Sequence, residues 1–185
     1  MTAVPFTAYA GDCLLHASLD LPDGVRLTDY LNDRLSLTLT DAVMQAHVDG
    51  RIVELNELEL ELSEVFAVEA RGARGTPGRR IRTRTARMEV ELGPYRVLGH
   101  VHSATSADPA AAIIRRKPMV PITNATIAYT LAGETRLRDV ETMIINRRLA
   151  HSIRATMHHA TPLDSLVFSH VNSGAKDLTE LSYAS

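Results

Sequence analysis

His100-Val101-His102 sets two imidazoles two residues apart, which on a β-strand puts both on one face. Such a pair can begin a zinc or other transition-metal site when a carboxylate or a third histidine joins it. His16 sits at a related place in the first half of the chain and His158-His159 lie further on, but there is no HExxH motif and no paired-cysteine motif. No metal or cofactor is therefore expected, and His100 and His102 are read as structural or surface residues. Asp29 and Asp33 are four apart, so on a helix they share one side, where a carboxylate pair can exchange protons or hold a cation. Asp29 reads instead as a first-turn acid and Asp33 as a solvated one. Cys13 lacks a Cys-His-Asp arrangement in sequence, the serines lack a Gly-x-Ser-x-Gly elbow, and no dinucleotide or phosphate loop occurs. The catalytic list is empty, and a non-enzymatic protein is expected.

Charge is the more informative pattern. Glu54, Glu57, Glu59, Glu61, Glu64 and Glu69 crowd one stretch, and then the sign flips to Arg71, Arg74, Arg79, Arg80, Arg82, Arg84 and Arg87 with no acid between. Arg80, Arg82 and Arg84 alternate with Ile81, Thr83 and Thr85, which on a strand makes a guanidinium row on one face. Three readings follow. The Glu and Arg rows pair within one molecule, Glu59 and Glu61 against Arg82 and Arg84, at about 0.2–1 kcal/mol per cross-strand pair. Alternatively, an acidic edge of one subunit carrying Glu57, Glu59 and Glu61 meets a basic edge of the next carrying Arg80, Arg82 and Arg84. Such head-to-tail contact gives a ring or a filament. Finally, Arg74, Arg79, Arg80, Arg82, Arg84 and Arg87 bind nucleic-acid phosphates with strong salt dependence. Stacking aromatics, the usual companions in single-strand binding, are absent from this segment.

The elements that would position these groups come in two copies. LTDAVMQAH at 39–47 and ITNATIAYT at 122–130 match at a spacing of 83, and the surrounding punctuation follows. Cys13-Leu14-Leu15 falls on Arg96-Val97-Leu98 and the turn Leu21-Pro22-Asp23-Gly24 on Thr105-Ser106-Ala107-Asp108. A short helix capped by Thr28 corresponds to one capped by Asp108, with Pro109 at its first position and Pro118 as its stop. The strand face Leu37, Leu39, Asp41, Val43, Gln45, His47 matches Val120, Ile122, Asn124, Thr126, Ala128. Gly50 and Gly133 mark the hairpins, and one inserted residue keeps register. Aspartate in one copy and asparagine in the other suits backbone hydrogen bonding, which both can do, and not a general base. Each copy thus reads strand, turn, helix, strand, hairpin, strand, turn, strand.

Val25-Arg26-Leu27-Thr28-Asp29-Tyr30-Leu31-Asn32, followed by Leu39-Thr40-Asp41-Ala42, resembles a signature of uncharacterised bacterial proteins. In these, R-L-S-D-Y-L-N precedes L-T-D-A and a strand meander. The resemblance covers about the first 70 residues and implies a small Sm-like β-barrel; it implies no activity. Sm-like barrels form rings or fibres and many bind RNA, which is an analogy of fold. The expected fold is mostly β, a tandem of two related small antiparallel β-barrels, each with one short helix. The expected divisions are 1–71, an Arg-rich loop and strand at 72–87, 88–158, and a C-terminal arm at 159–185.

With 45% hydrophobic residues the 185-residue chain can build a core, from Val, Leu, Ile, Ala and Met rather than aromatics. A net charge of −2 gives no whole-molecule attraction for nucleic acid or anionic membrane. A single cysteine cannot close an intramolecular disulfide, the N-terminus lacks a basic signal-peptide region, and no apolar run suits a membrane helix. A cytoplasmic scaffold that assembles with itself is the expectation, possession of a protein partner being open, with RNA or DNA binding at 71–87 as the alternative and no membrane partner.

Overall fold

The computed structural model describes residues 1–70, 84–103 and 108–156. The first half holds β1 (Thr2–Ala10), β2 (Cys13–Leu21), α1 (Leu27–Asn32), β3 (Ser36–Ala46), β4 (Ile52–Glu61) and β5 (Val65–Glu69). The second holds β6 (Arg84–Leu92), β7 (Tyr95–Ser103), α2 (Pro109–Ile114), β8 (Met119–Leu131), β9 (Glu134–Asn146), a 3₁₀ turn (Arg147–Leu149) and β10 (Ser152–Ala155). All ten strands form one antiparallel sheet in the order β10-β6-β7-β8-β9-β5-β1-β2-β3-β4.

The halves repeat each other pair by pair. Phe6 faces Ala17 across β1–β2, as Met88 faces Gly99 across β6–β7. Leu15 faces Met44, as Val97 faces Ile127. Leu37 faces Leu60, as Val120 faces Ile145. Val68 faces Ala8, as Ile153 faces Val90. Each half therefore has the same five-strand order, and β5 joins them by pairing with β9. The shift between equivalents lengthens along the chain: Phe6 matches Met88, Leu37 matches Val120 and Leu60 matches Ile145. The second copy therefore needs more than the one inserted residue the sequence suggested, the extra length falling before β8 and in the β8–β9 hairpin.

The Asp/Asn correspondence is a backbone feature. Asp41 and Asn124 have positive φ, 50° and 47°, a region that Asp and Asn tolerate better than other non-glycine residues. Each sits beside a register shift, between His16 and Ser18 in one copy and between Leu98 and His100 in the other. The bulge switches the buried face: Leu37 and Leu39 are buried, then Ala42; Val120 and Ile122 are buried, then Ala125 and Ile127. The expected unbroken face through Asp41-Val43 and Asn124-Thr126 is corrected accordingly. Gly50 and Gly133 take φ of 71° and 79° at equivalent hairpins, where an L side chain would be strained.

Both short helices form. Asp108 caps α2 by accepting from the Ala111 amide, with Pro109 in the first turn. In α1 the N-cap is Arg26, without a side-chain cap bond, and Thr28 lies inside the helix. Leu27 and Leu31 hold α1 to the sheet by burial, each worth about 1.5–3 kcal/mol.

The expected pair of closed barrels does not form; the sheet is open, and β4 and β10 are its ends. After the turn at 62–64, β5 leaves β4 and pairs with β1 on one side and β9 on the other. The hydrogen bonds that would close one half on itself are spent joining the two. Two apolar clusters result. One gathers second-half residues such as Met88, Val97, Ile113, Ile127 and Met143, with Tyr9, Leu14 and Ala67 from the first half. The other gathers Phe6, Leu15, Leu31, Leu39 and Val68, with Met119 and Ile144 from the second. Val68 and Ala67, neighbours on β5, thus serve different cores, and the junction strands are buried on both faces.

Candidate self-interaction edges

Among the described residues β4 bonds to β3 on one side only. Its residues alternate between Leu58 and Leu60, turned toward the first core, and the exposed Glu57, Glu59 and Glu61. Their ladder partners are Thr40, Thr38 and Ser36, and the Ser36 hydroxyl donates to Glu59 Oε1 at 3.0 Å. The first half of the strand is apolar yet exposed: Ile52, Val53 and Leu55 lie in solvent, as does Val48 in the turn that feeds the strand. A long edge with unpaired backbone groups and exposed apolar side chains is a template for another strand.

At the other end, β10 bonds only to β6 and to nothing beyond it among the described residues. Arg147, Arg148 and Arg154 lie on or just before it, and 147–155 contains no acid. Arg154 Nη2 rests 3.2 Å from Glu91 Oε1 on β6, with an exposed guanidinium. Arg84 opens β6, exposed, opposite Ser103, so its ladder partner is not the acidic row. Arg87, half-buried, stands opposite His100. Arg74, Arg79, Arg80 and Arg82 lie outside the described residues, as does the proposed arm from 159. In strand order the Glu row and Arg84 stand toward opposite ends of the sheet, so Glu59 and Glu61 do not pair with Arg84 within one molecule's ladder.

The internal junction shows how such edges meet. Ala67, Val68 and Glu69 of β5 face Ile145, Ile144 and Met143 of β9. Glu69, 2% exposed, is gripped by Arg138 of β9 through Nε at 2.8 Å and Nη2 at 3.1 Å, and accepts from the Tyr9 hydroxyl at 2.8 Å. Asn146 donates to the Leu62 carbonyl at 3.2 Å. Asn32, at the end of α1, donates to the Met119 carbonyl and accepts from the Met119 amide at the start of β8. Lys117 meets Asp33 at 2.7 Å, which raises the lysine's pKa through that hydrogen bond. At the hairpin end, the Tyr95 hydroxyl donates to the Ala10 carbonyl and lies 2.6 Å from His47 Nε2, while His47 Nδ1 lies 3.1 Å from the Thr130 carbonyl. Tyr9 packs edge-on against Tyr95 and Tyr129, which are tilted to each other, around these contacts. None of this tyrosine and glutamate cluster was singled out from sequence as a unit, because its members come from five strands and one turn.

The chemistry-bearing residues of the sequence are dispersed. His100 and His102 share β7; His102 Nε2 lies 3.0 Å from the Thr123 hydroxyl, which donates to the His100 carbonyl. Among the described residues no group of three or more His, Cys, Asp or Glu is arranged to hold a metal ion. The register makes Ser18 the first-half equivalent of His100, so His16 is not its counterpart. His158 and His159 lie outside the described residues. Asp33 is the C-cap of α1, and its carboxylate is exposed, as expected of a solvated acid, where it meets the equally exposed Lys117. Cys13 is buried, and burial, aided by Asp12, pushes its thiol up to about 11 from 9.0. Two pKa units cut the thiolate fraction about 100-fold, and the thiolate is the nucleophile. Iodoacetamide at pH 8 is therefore expected to label folded Cys13 at least ~100-fold more slowly than the urea-unfolded chain. Comparable rates in the two states would show an accessible, ionised thiol.

No protein-family model, curated protein or solved structure matches the chain at a significant level. Among the described residues no helix is long and apolar enough to cross a membrane.

Proposed function

We propose that the protein is a non-enzymatic structural subunit that assembles with itself through charge-complementary sheet edges. What supports this reading is one observation above the rest. The sheet is open, with an exposed acidic edge on β4 and arginines on and beside the strand at its opposite end. Complementary ends on one body are heterologous by construction, so each copy offers what the next one needs. The exposed apolar residues of β4 supply non-directional attraction, and the charges supply direction.

Size-exclusion chromatography with light scattering tests it, with absorbance read at 260 and 280 nm. A mass that is a multiple of 20.3 kDa at low salt, falling as ionic strength screens the charges, is the expected result. Reversing Glu57, Glu59 and Glu61 to Lys, or Arg148 and Arg154 to Glu, is expected to shift the low-salt mass toward the monomer. A monomer at every salt concentration overturns the reading. Excess absorbance at 260 nm that leaves with salt would transfer the role to nucleic-acid binding by the segment 71–87.

A further inference from the structure

We infer that β4 of one copy pairs with β10 of the next in the register that β9 and β5 use inside the chain. This deepens the self-assembly reading and rests on it. The argument comes from the superposable registers. β4 is the first-half equivalent of β9, Leu60 matching Ile145; β10 is the second-half equivalent of β5, Ile153 matching Val68. The internal pair is made of those two equivalents, so the free ends are the same two kinds of strand, each lacking the other. Carrying over the junction pairs Ala67–Ile145, Val68–Ile144 and Glu69–Met143 sets Ser152 opposite Leu60, Ile153 opposite Glu59 and Arg154 opposite Leu58 of the next copy.

Two independent features fit that docking. The first is apolar exposure. Asn32 at the end of α1 and Met119 at the start of β8 touch across the internal junction. Their equivalents at the free ends are Ile114, ending α2, and Ser36, preceded by Leu35; Ile114 is 58% and Leu35 84% exposed. Docking brings these two exposed apolar side chains together. The second is charge. Asn146 touches Leu62 at the internal junction, and the equivalents are Glu61 of one copy and Arg147 of the next. Glu69 of β5 is replaced by Arg154 on β10 and Arg138 of β9 by Val53 on β4, while the acids Glu57, Glu59 and Glu61 of β4 stand where β9 has Thr142, Ile144 and Asn146. A free β10 thus brings arginines, and a free β4 brings acids, to a seam whose internal counterpart carries the ion pair Glu69–Arg138. Cys13 stands where Tyr95 stands, so the hydroxyl bond to a neighbouring carbonyl has no counterpart between copies. The contact between copies is accordingly weaker than the internal one and separable by salt.

Disulfide trapping between full-length chains tests the register. In a Cys13→Ala background, one chain carries Glu59→Cys and a tagged second chain carries Ile153→Cys; they are mixed at low salt and mildly oxidised. Directly opposed residues lie within the Cα distance a disulfide spans, and residues two positions off do not. The 59–153 pair is expected to give roughly fivefold more tagged–untagged dimer than Glu57→Cys or Glu61→Cys with the same partner. If the unmodified chain assembles but 57 or 61 traps as well as 59, or nothing traps, the register inference falls and self-assembly stands. If the chain does not assemble at all, both fall together.

Discussion

Replacing Arg138 by Met is expected to destabilise the folded chain by about 3 kcal/mol, the lower end of the cost of removing one partner from a buried pair. Glu69 is only 2% exposed, and its carboxylate takes two contacts from the Arg138 guanidinium at 2.8 and 3.1 Å. With the guanidinium gone, the charge stays in a nearly water-free position, with the Tyr9 hydroxyl still donating to it. The guanidinium side chain is 34% exposed, which is why the lower end of the range applies. The pair also bridges β5, β9 and β1, so the loss falls on the seam that makes two half-sheets one. Urea unfolding at pH 7 measures it, as a drop in midpoint at constant slope. Replacing both residues, Glu69→Met with Arg138→Met, removes the stranded charge and is expected to restore much of the loss. A loss below about 1 kcal/mol for Arg138→Met would mean the pair behaves as a surface salt bridge. A double variant no better than the single one would mean that packing, and not charge, is what the arginine contributes.

How much of this seam was legible in the sequence depends on the range of the signal. Pro109 after Asp108, Gly50 and Gly133, and the Leu-Thr-Asp-Ala and Ile-Thr-Asn-Ala runs are local, and they located α2, the two hairpins and the repeat. The same local signals gave the alternating face of β4 and its glutamates. The bulges at Asp41 and Asn124 were written in residue type, but alternation alone does not reveal an extra residue, so the faces after them were misjudged. β1 went unread because Phe6 to Ala10 are buried in a row; a strand buried on both faces loses the alternation that identifies it. The open sheet was out of reach for a different reason. Whether β5 closes on β4 or leaves to pair with β9 is decided between segments some 75 residues apart, as Val68 and Ile144 show. Nothing in either segment alone records the choice. Glu69 was counted among the charges of an acidic stretch, although only its neighbours in β9 and β1 make it a buried ion.

Raising the pH is expected to unfold the chain steeply above about 10, through tyrosines that cannot ionise in place. Tyr9 and Tyr95 are almost wholly buried, and burial drives both phenols far above their ordinary 10.0; Glu69 adds to the shift at Tyr9, and Cys13 and Asp12 at Tyr95. Their folded-state pKa values are raised, so the stability they carry is complete below the unfolded value near 10 and is lost as pH rises past it. In the unfolded chain each phenol releases its proton there, while the folded chain keeps both. Each tyrosine then costs about 1.4 kcal/mol per pH unit. Two of them over two units cost about 5 kcal/mol, comparable to the whole stability of an ordinary domain. Cys13 brings the onset lower, since its thiol, raised to about 11, begins to cost stability near pH 9. Urea midpoints measured from pH 8 to 12 check the slope. Tyr9→Phe and Tyr95→Phe each sacrifice a hydrogen bond at neutral pH, about 1 kcal/mol, but each should flatten the alkaline slope by one proton's worth. That distinction separates ionisation from packing: a phenylalanine variant with the parental slope would show that its phenol titrates alike in both states. The seam between the halves would then owe its alkaline sensitivity to other groups.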